Sequence, residues 1–334
     1  MDGTNRTIIG IKEYLEYKPE FNLSMFYSGF LPFFYIIPTA IVMTRILIGY
    51  LKAKNTFSTV TMDGNIFSLI MLYFLFNILF FITDYLRLNL PSTGLITSWC
   101  ATVQPNHYFK VLVICAFYCN FGVITLPFLV SLIRITIILS PRNNVRYCKW
   151  IMRRFCLPWL FLSPIVLTSI NWTNLGYCEQ MGEPYGLGAV WIATTNSGVF
   201  GLRNVPIHLT YSIIIFTLSC TCSSTMFIKL RMSTFSSTSA RTKELSRKAE
   251  NSLTLTMASS IVPFITNSTL SLTTLYYPHN LYYVVFLRPL GNDYETVMMP
   301  WILYLTHPLF RKKKLNGKTS DSVWTTTSRS SQMV

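Results

Sequence analysis

Apolar runs of roughly 20 residues recur along this chain, separated by short charged segments, and that pattern constrains the fold more than any other feature. A run of that length crosses about 30 Å of hydrocarbon as a helix. Lipid offers no hydrogen-bond partners, so a crossing backbone must satisfy itself, as a helix does. The runs place helices near 25–47, 65–86, 108–134, 150–172, 205–228, 251–276 and 293–310. The expected fold is therefore an all-α membrane protein, a seven-transmembrane helix bundle. The seventh span is short, because Asp293 and Glu295 precede it; it would be longer if it began from Tyr282, with Arg288 to Asn292 as an interruption.

Composition agrees. Charged residues make up 12% of the 334 and hydrophobic residues 51%, whereas a soluble domain carries about a quarter charged. The net charge of +15 does not point to nucleic acid, because the basic residues lie beside apolar segments and form no single patch. Met1 to Ser24 is polar and mixed in charge, so the first membrane segment is expected to act as its own insertion signal. The reading divides the chain into an extracellular N-terminus (1–24), a helical membrane domain (25–310) and a polar, Ser- and Thr-rich cytoplasmic tail (311–334), expected to be disordered.

Lys and Arg near the membrane are retained on the cytoplasmic side during insertion. Of the 28, 21 fall in one alternating set of segments, which includes the tail, and 7 in the other. That split predicts the N-terminus outside and the C-terminus cytoplasmic. Sequons at Asn5, Asn22 and Asn171 fall in segments assigned outside, where glycosylation is possible; a fourth, at Asn267, lies within the sixth helix. Six of the eight cysteines map to helices or the cytoplasmic edge, which leaves Cys100 and Cys178 in outer loops. An oxidising compartment would pair them; the alternative is two free thiols.

No catalytic or metal constellation is present. His107, His208, His279 and His307 are scattered over four segments, and no H-E-x-x-H, C-x-x-C, G-x-S-x-G or phosphate-binding glycine loop occurs. The chain reads as needing no cofactor. Polar groups within membrane helices are costly unless they face the bundle interior or a cavity. Asp84, Lys110, Tyr118, His208, Tyr211, Asn267, Thr273, Asp293 and Glu295 fall near the outer helix ends. Of these, Tyr118, His208, Tyr211, Asn267, Thr273 and Asp293 are the ligand-contact candidates for an aromatic-lined pocket. The alternative places Asp84, Asp293 and Glu295 in the headgroup layer and has Asn267 bond a neighbouring helix. Pro263 and Pro300 are candidate hinges. Arg134, at the inner end of helix three, can either snorkel or bond a neighbouring helix end, and is a candidate signalling switch.

Phe128 to Pro141 (FLVSLIRITIILSP), Glu250 to Asn267 (ENSLTLTMASSIVPFITN) and Leu287 to Lys313 (LRPLGNDYETVMMPWILYLTHPLFRKK) resemble the nematode serpentine chemoreceptors of the Srg superfamily, most closely class U. The resemblance spans Phe21 to Lys314. It implies a G-protein-coupled type of receptor that detects small molecules from the plasma membrane, on the sensory cilia of chemosensory neurons, and works with a heterotrimeric G protein. Arg134 looks like the helix-three arginine of such receptors. No acidic residue precedes it, however, and helix seven reads Met299-Pro300-Trp301-Ile302-Leu303-Tyr304 where rhodopsin-like receptors carry N-P-x-x-Y. A transporter or ion channel is the competing reading; it would usually show an internal repeat or mid-bilayer charges, and neither is found.

Overall fold

The structure, a computed structural model, describes residues 7–19, 21, 25–55, 63–139, 144–195, 204–232, 248 and 251–310. Asn5, Asn22, most of the segment between the fifth and sixth helices, and the tail from 311 lie outside them. Seven long helical segments run through the described residues: α1 (Phe26–Ala53), α2 (Gly64–Ser92), α3 (His107–Leu139), α4 (Val145–Asn171), α5 (Asn204–Met226), α6 (residues 251–276) and α7 (Leu281–Thr306). The first five are each long and apolar enough to cross a membrane. α6 and α7 are more polar.

The polar seventh helix corrects the expected boundary at 293. It begins twelve residues earlier, at Leu281, and runs without interruption through Arg288, Pro289, Asp293 and Glu295 to Thr306. The physical reason lies in its spacing. Arg288, Asn292, Glu295, Thr296, Met299 and Leu303 recur every three or four residues and form the buried stripe of the helix. Its charges face other helices instead of lipid.

α3 is the centre of the bundle. It packs against α2, α4 and α5, while α7 packs against α1, α2 and α6. Over their most apolar 18-residue windows, α2 and α3 are 56% and 61% buried, whereas α1, α4 and α5 are 28%, 22% and 17% buried and turn most of their apolar surface outward. An outward apolar face is what a lipid-facing helix needs. α6 is broken: residues 251–258 are helical, Ser259 and Ser260 form a turn, and helix resumes at Ile261. Pro263 sits in the first turn after the break, where its missing N–H would have had no partner in any case.

One element departs from the all-α expectation. Between α4 and α5, β1 (Gly176–Gln180) pairs antiparallel with β2 (Val190–Thr194), with Cys178 opposite Ile192. The Val-Trp-Ile-Ala-Thr sequence of β2 is rich in residues that favour strands. The hairpin caps one end of the bundle. Gly176 exchanges backbone hydrogen bonds with Asn106 at 2.9 and 3.1 Å, and a Cβ at Gly176 would sit 2.5 Å from the Lys110 backbone nitrogen, so only glycine lets the strand lie this close to α3. Cys100 and Cys178 are joined by a disulfide, with Cα atoms 5.9 Å apart. Around it Ile8, Phe109, Val113, Val190 and Ile192 form a small core. The N-terminal segment crosses the hairpin, pairing Thr7 with Glu179 and donating from Gly10 to Ala101.

A cross-link spanning 78 residues is worth on the order of 4 kcal/mol in the chain-entropy picture. Cys100→Ser and Cys178→Ser should therefore lower surface expression to the same degree, and the double variant should be no worse than either. Unequal or additive losses, read by flow cytometry, would mean that the two sulfurs do not act as one bond.

Candidate functional site

Two polar networks occupy the interior. The first joins α3, α4, α5 and α6. The Asn120 amide on α3 lies 2.9 Å from His208 Nε2 on α5, and Ser271 Oγ on α6 lies 3.4 Å from His208 Nδ1. One turn along α5, the Tyr211 hydroxyl lies 2.7 Å from Thr125 Oγ1 on α3 and 3.2 Å from Ser163 Oγ on α4. Phe121 fills the gap between them, its ring 5.5 Å from His208 and 5.4 Å edge-on from Tyr211.

The second network joins α7 to α1 and α2. Arg288 Nη1 donates to Asp84 Oδ1 at 2.8 Å, and its guanidinium lies 5.7 Å from the centre of the Phe80 ring. Tyr35 on α1 donates to Asp293, and Tyr73 on α2 donates to Glu295. Further along α7, Thr296 donates to Asn77 at 3.4 Å, and Trp301 donates to Thr39 at 3.2 Å. Carboxylates so buried must be paired or hydrogen-bonded, and each of these has a partner from another helix.

The networks approach each other across a cavity of about 40 Å³ between α3, α5, α6 and α7, lined by Ser212, Ser219, Ser260, Asn267 and Glu295 together with Pro127 and Pro263. That is room for about three or four waters at about 10–15 Å³ each, whereas small-molecule pockets run about 300–1,000 Å³. This cavity is thus polar and small. Above it, Met181, Tyr185 and Ala189 of the hairpin pack on Leu88 and Val285. Arg87 lies between the rings of Phe117 (5.1 Å) and Trp191 (5.6 Å) and donates to the Ile192 carbonyl at 3.1 Å. Burial raises the Tyr185 phenol above its ordinary value.

The six ligand-contact candidates are only partly brought together. His208 and Tyr211 share the first network, Asn267 lines the cavity, and Asp293 belongs to the second network. Tyr118 stacks at 6.1 Å on Phe76 of α2, away from His208, and Thr273 is buried on α6 outside both networks. Lys110 donates to the Trp172 carbonyl at 2.9 Å and ties α3 to the end of α4. Asp84, Asp293 and Glu295 are each bonded to a neighbouring helix. Asn120, Thr125 and Arg288 were missed by sequence reasoning. Asn120 was findable, as an amide in an otherwise apolar stretch.

Two further candidates are buried. Asn171 is a poor glycan acceptor: it is 2% exposed and exchanges hydrogen bonds of 2.9 and 2.6 Å with Asn204. That burial weighs against the glycosylation expected there. Arg134 is also 2% exposed, at the end of α3 away from the hairpin, and its Nη2 donates to Thr254 of α6 at 3.0 Å. It does not snorkel.

Residues 8–313 match the family model of the serpentine type 7TM GPCR chemoreceptor Sru. This chain belongs to that family. Among its relatives is serpentine receptor class U-26 of Caenorhabditis elegans, 31% identical over 238 residues, which cover 71% of this chain and 80% of the relative. The Sru receptor is thus a multi-pass membrane protein of a nematode chemoreceptor family, and a receptor rather than an enzyme.

Tyr211→Phe and Thr125→Val should each lower the thermal stability of the purified Sru receptor, and the double variant should cost less than the sum by about 0.6 kcal/mol, the usual coupling between membrane helices. Strict additivity would show that the two hydroxyls do not bond.

Proposed function

We propose that this Sru receptor lies in the plasma membrane of a chemosensory neuron, at its sensory cilium, with the N-terminus and hairpin outside. A small molecule binds in the half of the bundle beneath the hairpin, against His208, Tyr211, Asn267 and Asp293. A heterotrimeric G protein engages the opposite end. The observation that carries the reading is the His208 and Tyr211 network, because it joins four helices beneath the lid and leaves α3 running on to Arg134. The orientation rests on the disulfide-bearing hairpin, which needs an oxidising compartment, and on the basic segments at the other end.

The closed interior is the resting form in this reading. A ligand that replaces the Asn120–His208–Ser271 contacts separates α5 and α6 from α3, and the broken α6 carries the movement to Thr254 and Arg134. Releasing a buried guanidinium from its partner changes what the α3 end presents, which is a two-state element of the kind switches use.

The test is a cell line with an N-terminal epitope, a calcium or cyclic-nucleotide reporter and a panel of small organic molecules. The epitope should be accessible on intact cells and a C-terminal one only after permeabilisation. A response should survive ion substitution, and Arg134→Ala should change basal or evoked output at near-normal surface level. Arg134→Lys should not restore it, because Lys lacks the planar fork. Both termini on one side would overturn the orientation. A solute-coupled current would indicate a transporter or channel, and wild-type output from both Arg134 variants would remove the switch.

A further inference from the structure

A groove of about 450 Å³ runs along the outward face of α4 where it meets α5. Its walls are apolar, built from Pro158, Trp159 and Leu162, with Arg154 at one end and the Tyr211 and Ser163 side chains at its floor. Leu162 is 59% exposed and Trp159 39% exposed, so the face is open to whatever surrounds the bundle. Arg154 is exposed as well and can follow a ligand's charge.

We infer that this groove is a binding site for one anionic phospholipid, with its phosphate on Arg154 and one acyl chain lying along Trp159 and Leu162 toward Tyr211. Length supports that occupant. The lining runs from Arg154 to Leu167, and thirteen residues at 1.5 Å each make about 20 Å, roughly two-thirds of the ~30 Å hydrocarbon core. The groove is therefore long enough to hold the full acyl chain of one leaflet, from headgroup depth to the middle of the bilayer and beyond. Charge supports it too, because the cytoplasmic leaflet, where the proposed orientation puts Arg154, carries the anionic lipids. The site has a route to the interior: Tyr211 lines the groove while its hydroxyl bonds Thr125 of α3. A chain end resting on Tyr211 holds that hydroxyl in place and so favours the closed arrangement of α3, α4 and α5.

The experiment uses the full-length receptor reconstituted in nanodiscs of phosphatidylcholine doped with phosphatidylserine, followed by native mass spectrometry of the lipids it retains. Wild type should retain phosphatidylserine in preference to phosphatidylcholine. Arg154→Gln should reduce that preference about fivefold, the worth of one basic residue near an anionic surface. Arg153→Gln, at an exposed arginine outside the groove, should leave it unchanged. Leu162→Trp, at an exposed position where folding is tolerant, should fill the groove and reduce retention of both lipids. Equal retention of the two lipids by wild type, equal losses from the Arg153 and Arg154 variants, or full retention by Leu162→Trp would each overturn the site and leave ordinary surrounding lipid.

Discussion

The Asp84–Arg288 ion pair is the contact on which the arrangement of the bundle depends. Both side chains are largely buried, at 14% and 9% exposure, and they meet at 2.8 Å between α2 and α7. A lone charge there would be untenable, since an uncompensated buried ion is far costlier than a paired one. With the pair formed, α7 can bring Arg288, Asp293 and Glu295 into the protein interior. The contacts to Tyr35, Tyr73, Asn77 and Thr39 then follow at successive turns, and α7 is fastened to α1 and α2 along most of its length.

That fastening divides the molecule. α1, α2 and α7 are held by an ion pair and by hydrogen bonds to carboxylates, whereas α3, α5 and α6 meet around His208 through an amide, an imidazole and hydroxyls, and at the far end of α3 through Arg134 and Thr254. Neutral contacts between membrane helices are weak, about 0.6 kcal/mol on average. The Ser259–Ser260 break in α6 lies within the second group. The polar cavity sits at the seam, with Glu295 from the first group and Ser212 and Asn267 from the other.

The helices were legible because lipid imposes a length and an apolarity that composition alone reveals. α7 was placed from 293, or from Tyr282 with an interruption at 288–292; the observed helix takes the longer form without the interruption, because Arg288 and Asp293, which a hydropathy reading treats as barriers, are paired. Their partners, Asp84 and Tyr35, lie more than 200 residues away in sequence and no local pattern points to them. His208 and Tyr211 were found as polar residues on an apolar helix, and their joint network was not, because it depends on α3 passing between α4 and α5. Tyr118 shows the converse: the right residue type on the right helix, turned toward Phe76 by the helix rotation. The hairpin was invisible to a helix-only reading, although the strand-forming residues of β2 were in plain sight.

Charge reversal across the ion pair tests the central claim, that α7's charges are interior and paired, most directly. Asp84→Arg and Arg288→Asp should each cost about 3–5 kcal/mol by leaving like charges buried together, and each should nearly abolish surface expression. The double variant restores an opposite pair in the same place and should recover a large part of it. Single variants that reach the surface like wild type, or a double variant no better than the worse single, would contradict the account.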